Sequence, residues 1–91
     1  MYICLIKNKV KKGYEDAYYE VSCAFSNDMK SVDGCLDAYV IRDINNPEII
    51  VNVEKWINQD AKLKDTGEIF LKYKADLKKA GFISNTSEEY I

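Results

Sequence analysis

The stretch EIIVNVEKW, Glu48 to Trp56, constrains the fold more than any other part of the chain, because it is apolar on both parities. Side chains along a strand alternate between two faces, so Ile49, Val51 and Val53 point one way and Ile50 and Trp56 the other. Such a strand is expected to be covered on both sides. The preceding CLDAYVIR, Cys35 to Arg42, repeats the pattern, with Leu36, Ala38 and Val40 opposing Cys35, Tyr39 and Ile41. The NNPE between them is turn chemistry, and Pro47 marks where the second strand can begin, so the pair is expected to form a hairpin.

The rest of the chain supplies what could cover one of those faces. Tyr2 to Val10 is apolar on both parities at its start and then alternates, which predicts another strand. After Gly13, Glu15 and Asp16 occupy a first helical turn, and Tyr14, Tyr18, Val21, Phe25 and Met29 recur at helical spacing. That helix is expected to end by Lys30 and Ser31, with Gly34 permitting the turn into the hairpin. Asn58 is a suitable N-cap for a short helix that Thr66 and Gly67 interrupt. A further helix carries the stripe Phe70, Tyr73, Leu77 and Ala80, and Gly81 caps it. The tail FISNTSEEYI reads as a weak final strand. The order strand, helix, strand, strand, helix, strand predicts an α+β, ferredoxin-like split βαβ fold (βαββαβ), with both helices on one face of an antiparallel sheet.

Composition then limits the function. A chain of 91 residues is expected to form one domain spanning 1–91, and folding buries only about two thirds of the unfolded surface at this size. The opposite sheet face is too apolar to be left bare in a soluble monomer, so a second sheet should cover it in a symmetric homodimer. The net charge of −2 and the interspersed Lys and Glu give no basic footprint for nucleic acid. MYICLIKNKV has no basic residues ahead of its short apolar run and no small-residue cleavage site, so neither a signal peptide nor a membrane span is expected, and a cytoplasmic location is. The three cysteines, Cys4, Cys23 and Cys35, are far apart and unaccompanied by histidine, which argues against a disulfide framework and a zinc site. No glycine-rich nucleotide loop is present, and no cofactor or metal is expected.

Three pieces of the sequence carry a resemblance: the strand leading to Gly13; VDGCLDAYV, similar to a "pGc" start of a second strand; and NPEIIVNVEKWINQDA, similar to "dP…e.W.s.ea". On these the chain resembles the antibiotic biosynthesis monooxygenase (ABM) domain family of dimeric α/β barrels, over nearly its whole length. The resemblance implies a cofactor-independent monooxygenase acting on a small aromatic phenol or quinol. Other activities in the family are isomerisation and haem degradation, and many members have no known role, so a non-catalytic small-molecule-binding or structural dimer is the alternative.

The same resemblance implies site residues. Some oxygenase members place an Asn on the third strand four residues before the Trp, the spacing of Asn52 and Trp56. Many members carry a His eight residues after the Trp; that position is Lys64 here, and the chain has no histidine. Asn52, Trp56 and Lys64 are therefore the expected catalytic group, with Asp65 and Glu54 as other substitutes for the missing base. Asn8, Tyr39, Phe70 and Tyr73 are the expected substrate-binding residues, although each would serve equally in a core. A haem-degrading relative would need an axial ligand, and Lys74 stands where those enzymes place their His.

Overall fold

The computed structural model describes residues 1–91. It has strand β1 (Tyr2–Val10), helix α1 (Glu15–Met29), the hairpin β2 (Cys35–Arg42) and β3 (Ile49–Trp56), short helix α2 (Gln59–Lys64), helix α3 (Glu68–Lys79) and strand β4 (Phe82–Tyr90). All pairs are antiparallel in the order β2-β3-β1-β4, the predicted ferredoxin-like sheet, with α1 and α3 on one face. Asn58 caps α2 by accepting from the Ala61 backbone N–H at 2.9 Å. Gly34 takes φ +84°, and a Cβ there would sit 2.6 Å from the Ala61 Cβ, so its bare backbone lets the hairpin start against α2. No helix is long and apolar enough to cross a membrane.

Strand register decides which side chains meet the helices. Tyr2 lies opposite Trp56, Cys4 opposite Glu54, Ile6 opposite Asn52 and Asn8 opposite Ile50, and these even-numbered positions face α1 and α3. The odd positions, Leu5 opposite Val53 and Lys7 opposite Val51, face away. One face assignment from the sequence needs correcting. The β2–β3 register slips between Cys35 and Asp37, so Cys35 packs with Trp56 and Ala38 on the helix side while Leu36 is exposed. An inserted residue reverses the parity before it, which strict alternation cannot foresee.

The core on the helix side is divided. At one end Trp56, Tyr2, Cys4, Phe25, Met29 and Ala38 form a buried cluster. At the other, Val10, Tyr18, Ile50, Leu77 and Ala80 form a second. Between them β1 and β3 present Asn8, Asn52 and Glu54, all buried.

Helix α1 differs from the predicted stripe: its buried face is Tyr18, Ser22, Phe25, Ser26 and Met29, with Tyr14 exposed and Val21 half-buried. Helix α3 buries only Leu77. It is fastened to α1 by Phe25 against Tyr73 (ring centroids 5.8 Å, 69°) and Phe70 (6.2 Å, 80°), and by the Tyr73 hydroxyl donating to Asp28, while Leu77 joins the cluster of Val10 and Ile50 on the sheet.

The outer face of the sheet bears Val51 and Val53, buried among their neighbours, and the exposed Tyr39 and Ile41. Lys55 places its ammonium 5.5 Å from the Tyr39 ring centroid, and Lys7 pairs with Glu88 at 2.6 Å.

Trp56 is fully buried and central to its cluster. Trp56→Ala is therefore expected to cost about 3 to 5 kcal/mol, measured as a lowered urea midpoint at unchanged slope. A midpoint that barely moves would contradict the anchoring role.

Candidate functional site

Because α3 leans on α1 and the two apolar clusters stand apart, a chamber of about 540 Å³ opens between the sheet and the helices. That is ample for a small aromatic molecule. Its apolar walls come from Ile6, Tyr18, Phe25, Met29, Phe70, Leu77, Phe82 and Ile83, and its polar groups are Asn8, Asn52, Glu54, Asp65, Lys74, Lys78 and Asn85. Phe70 is 44% exposed, as a residue at the mouth of an open space would be.

The amides form a chain across the floor. Asn85 Nδ2 donates to Asn8 Oδ1 at 3.4 Å, and Asn8 Nδ2 donates to Asn52 Oδ1 at 2.7 Å and to the Ile50 carbonyl at 3.0 Å. Asn52 Nδ2 in turn donates to Ser26 Oγ at 3.2 Å. Each amide is thereby held in one orientation, and the second N–H of Asn52 is left unspent beside the chamber.

Glu54 stands next to them on the same face of β3. Its Oε1 accepts from Trp56 Nε1–H at 3.2 Å. Burial holds its carboxyl above the ordinary glutamate range; the Trp56 hydrogen bond opposes this, the Asp65 charge adds to it and Lys62 subtracts. Burial likewise pushes the Tyr18 hydroxyl up to about 12, so that group stays neutral.

The structure brings together some of the residues expected from the sequence and separates others. Asn8, Asn52 and Phe70 share the chamber. Trp56 does not line it: the ring is sealed in the core and reaches the chamber only through its bond to Glu54. Lys64 lines a different, open groove with Asp33, Asp60, Asp65 and Glu68, because α2 turns that flank away from the sheet. Tyr39 lies opposite Val53 on the outer face, so the sheet itself separates it from Asn52. Tyr73 spends its ring on Phe25 and its hydroxyl on Asp28, outside the chamber lining.

Lys74, rather than Lys64, puts an ammonium-bearing chain on the chamber. Ser26 and Asn85, which complete the amide chain, were not singled out from the sequence. Two serines a turn apart on a buried helix face, with asparagines at matching strand positions, were the available signal.

The antibiotic biosynthesis monooxygenase family profile matches residues 1–65. No curated protein matches the sequence. Among solved structures, a candidate antibiotic biosynthesis monooxygenase from Nitrosomonas europaea superposes with a TM-score of 0.82 at 15% identity, over 100% of this chain and 97% of that one. Its counterpart from Bordetella bronchiseptica gives 0.82 at 16% identity, over 99% and 95%. A conserved protein from Methanosarcina mazei Go1 gives 0.78 at 20% identity, over 99% and 91%. At these identities the likeness is one of fold.

The raised Glu54 pKa makes a prediction about stability. A carboxyl whose pKa is higher folded than unfolded disfavours the fold once it ionises, so its contribution is intact below the unfolded value of about 4.3 and is lost as pH rises through the folded value. Glu54→Gln keeps an acceptor for Trp56 and removes the charge. It should unfold at an equal or higher urea concentration than wild type near about pH 7, with the advantage shrinking towards about pH 4. A clear loss of stability at neutral pH would show that the carboxylate itself holds the fold together.

Proposed function

The chain belongs to the antibiotic biosynthesis monooxygenase family, and on that premise we propose that it oxygenates a small phenol or quinol inside the chamber between sheet and helices. The observation that carries this is the chamber itself: apolar walls over a floor of oriented amides and a buried carboxyl.

The proposed chemistry asks little of the protein. An electron-rich phenolate can pass an electron to dioxygen directly, and the two radicals then couple at a ring carbon. One oxygen atom stays on the product and the other leaves as water, the substrate supplying both hydrogens, so no outside reductant or cofactor is needed. The chamber's part is to strip water from the substrate, favour its anion and hold it against dioxygen. Asn52, whose free N–H can donate a hydrogen bond to a developing oxyanion, is the assigned donor, with Asn8 fixing its orientation. Phe70 and Phe25 supply aromatic wall to an aromatic guest.

A second copy of the chain completes the proposal. Leu36, Tyr39 and Ile41 are exposed on β2, next to the apolar Val51 and Val53, and a like face from a partner would cover them. The alternative is a binding module that takes up a small molecule without changing it. One feature favours it: both ends of the Asn52 amide already have partners within the protein.

An oxygen electrode with a panel of quinols and polyphenols tests the enzyme. Uptake above the autoxidation blank, insensitive to chelators, is expected to fall by roughly 10²-fold or more in Asn52→Ala. Lys64→Met, altered in the separate groove, should match wild type. If nothing exceeds the blank, or if Asn52→Ala is as active as wild type, the oxygenase proposal fails and the binding module replaces it.

Light scattering at low micromolar concentration is expected to give twice the 10.5 kDa chain mass, and Ile41→Glu to shift the protein towards monomer with loss of stability. A stable wild-type monomer would contradict the covered face.

A further inference from the structure

The geometry points to Glu54 as the proton acceptor of the chamber and to Trp56 as the residue that positions it. The inference rests on the chamber being an aromatic binding site, as proposed above, and adds the group that would replace the absent histidine.

Three observations support it. Glu54 is buried yet lines the chamber, two residues from Asn52 on the same face of β3, so a guest held by the amide floor lies beside the carboxyl. Of its two oxygens, Oε1 is fixed by Trp56 Nε1–H at 3.2 Å, whereas Oε2 has no partner in the protein and is not sealed off from the space around it. The flanking side chains in the sheet are Cys4 and Ala38, neither of which competes for a strong hydrogen bond. A carboxylate that lines the chamber with one oxygen tethered, the other unpartnered and no ion pair formed is arranged to accept a proton.

The other charged or titratable groups around it are few. Lys62 on α2 and Asp65 just after it act on Glu54 in opposite directions, Cys4 on β1 and Cys35 on β2 are near neighbours, and Lys74 and Lys78 line the same chamber from α3. Glu89 on β4 is engaged by Lys62 at 2.9 Å. Helix α1 contributes Phe25 and Met29, which do not titrate, and Tyr18, whose hydroxyl is kept neutral by burial.

The step is a single proton transfer. The O–H bond of the bound phenol breaks, its electron pair stays on the phenol oxygen, and the proton goes to Glu54 Oε2. Burial raises the Glu54 carboxyl above its ordinary range and makes it the stronger base, while the same burial raises the phenol, so a hydrogen bond to the phenolate is needed to favour the transfer. The unspent N–H of Asn52 is available to the phenolate that results.

The test does not need the natural substrate. Binding of beta-naphthol and of its methyl ether is measured by calorimetry on wild type, Glu54→Gln and Trp56→Phe across pH. The naphthol can donate a hydrogen bond to Oε2 and the ether cannot, so wild type should prefer the naphthol by roughly 10-fold or more at neutral pH. That preference should fade as acid protonates Glu54. In Glu54→Gln, with the amide oxygen still taken by Trp56, the chamber meets an N–H donor instead, and the preference should vanish.

Trp56→Phe keeps an aromatic ring in the core but removes the donor that lowers the Glu54 pKa, so the midpoint at which preference is lost should move to higher pH. A purely structural Trp56 would leave that midpoint unmoved. Equal binding of both probes by wild type, or a preference that survives in Glu54→Gln, overturns the assignment of Glu54. Binding of neither probe overturns the underlying chamber reading instead, and the assignment falls with it.

Discussion

Two apolar clusters held apart on one face of one sheet determine the character of this molecule. On β3, Ile50 belongs to one cluster and Trp56 to the other, and the two positions between them on the same face are Asn52 and Glu54. On β1, Val10 and Tyr2 mark the same two ends, with Asn8 between. A chain this small can seldom leave its core unfilled, since each missing contact costs dispersion and transfer energy. That it does so here, and paves the gap with oriented amides and a tethered carboxyl, is the pattern of a protein that gives up stability for a site.

The clamp between the helices makes the gap possible. Had α3 packed its stripe straight onto the sheet, Phe70 and Tyr73 would have filled the space beneath it. Instead Phe25 makes T-shaped contacts with both rings and Asp28 takes the Tyr73 hydroxyl, so that end of the helix rests on α1. On β4, the position facing Asn8 is Asn85 and the one facing Ile6 is Ser87, side chains too small and too polar to close the opening. Trp56 contributes twice, by filling one end of the core and by fixing the carboxyl that faces the chamber. This explains why the bulkiest side chain stands where the strand gives way to helices.

The elements, their order and the sheet topology were legible in the sequence because double-sided apolar strands, helical stripes and the Asn58, Gly34 and Gly81 signals all agree. Asn8 and Asn52 are conspicuous as polar residues in apolar strands, and Phe70 stands in the helical stripe, so three of the residues that line the chamber could be picked out. What could not be read depends on geometry between elements. The slip at Leu36 exchanges two faces without any mark in the residue pattern. Tyr39 is separated from Asn52 by strand register, and Lys64 by the direction in which α2 leaves β3. Ser26 and Asn85 look like surface polar residues until the tertiary structure lines them up with Asn8 and Asn52.

The central claim is that an aromatic guest enters the chamber between sheet and helices. Amide NMR spectra of the labelled protein, titrated with a phenol that resists oxidation, test it most directly, because the floor carries the side-chain amides of Asn8, Asn52 and Asn85. The account predicts that these signals shift together, with the Phe70 backbone, and saturate at one dissociation constant. Shifts confined to Asp33 and Lys64 in the open groove, or to Tyr39 and Ile41 on the outer face, would contradict it.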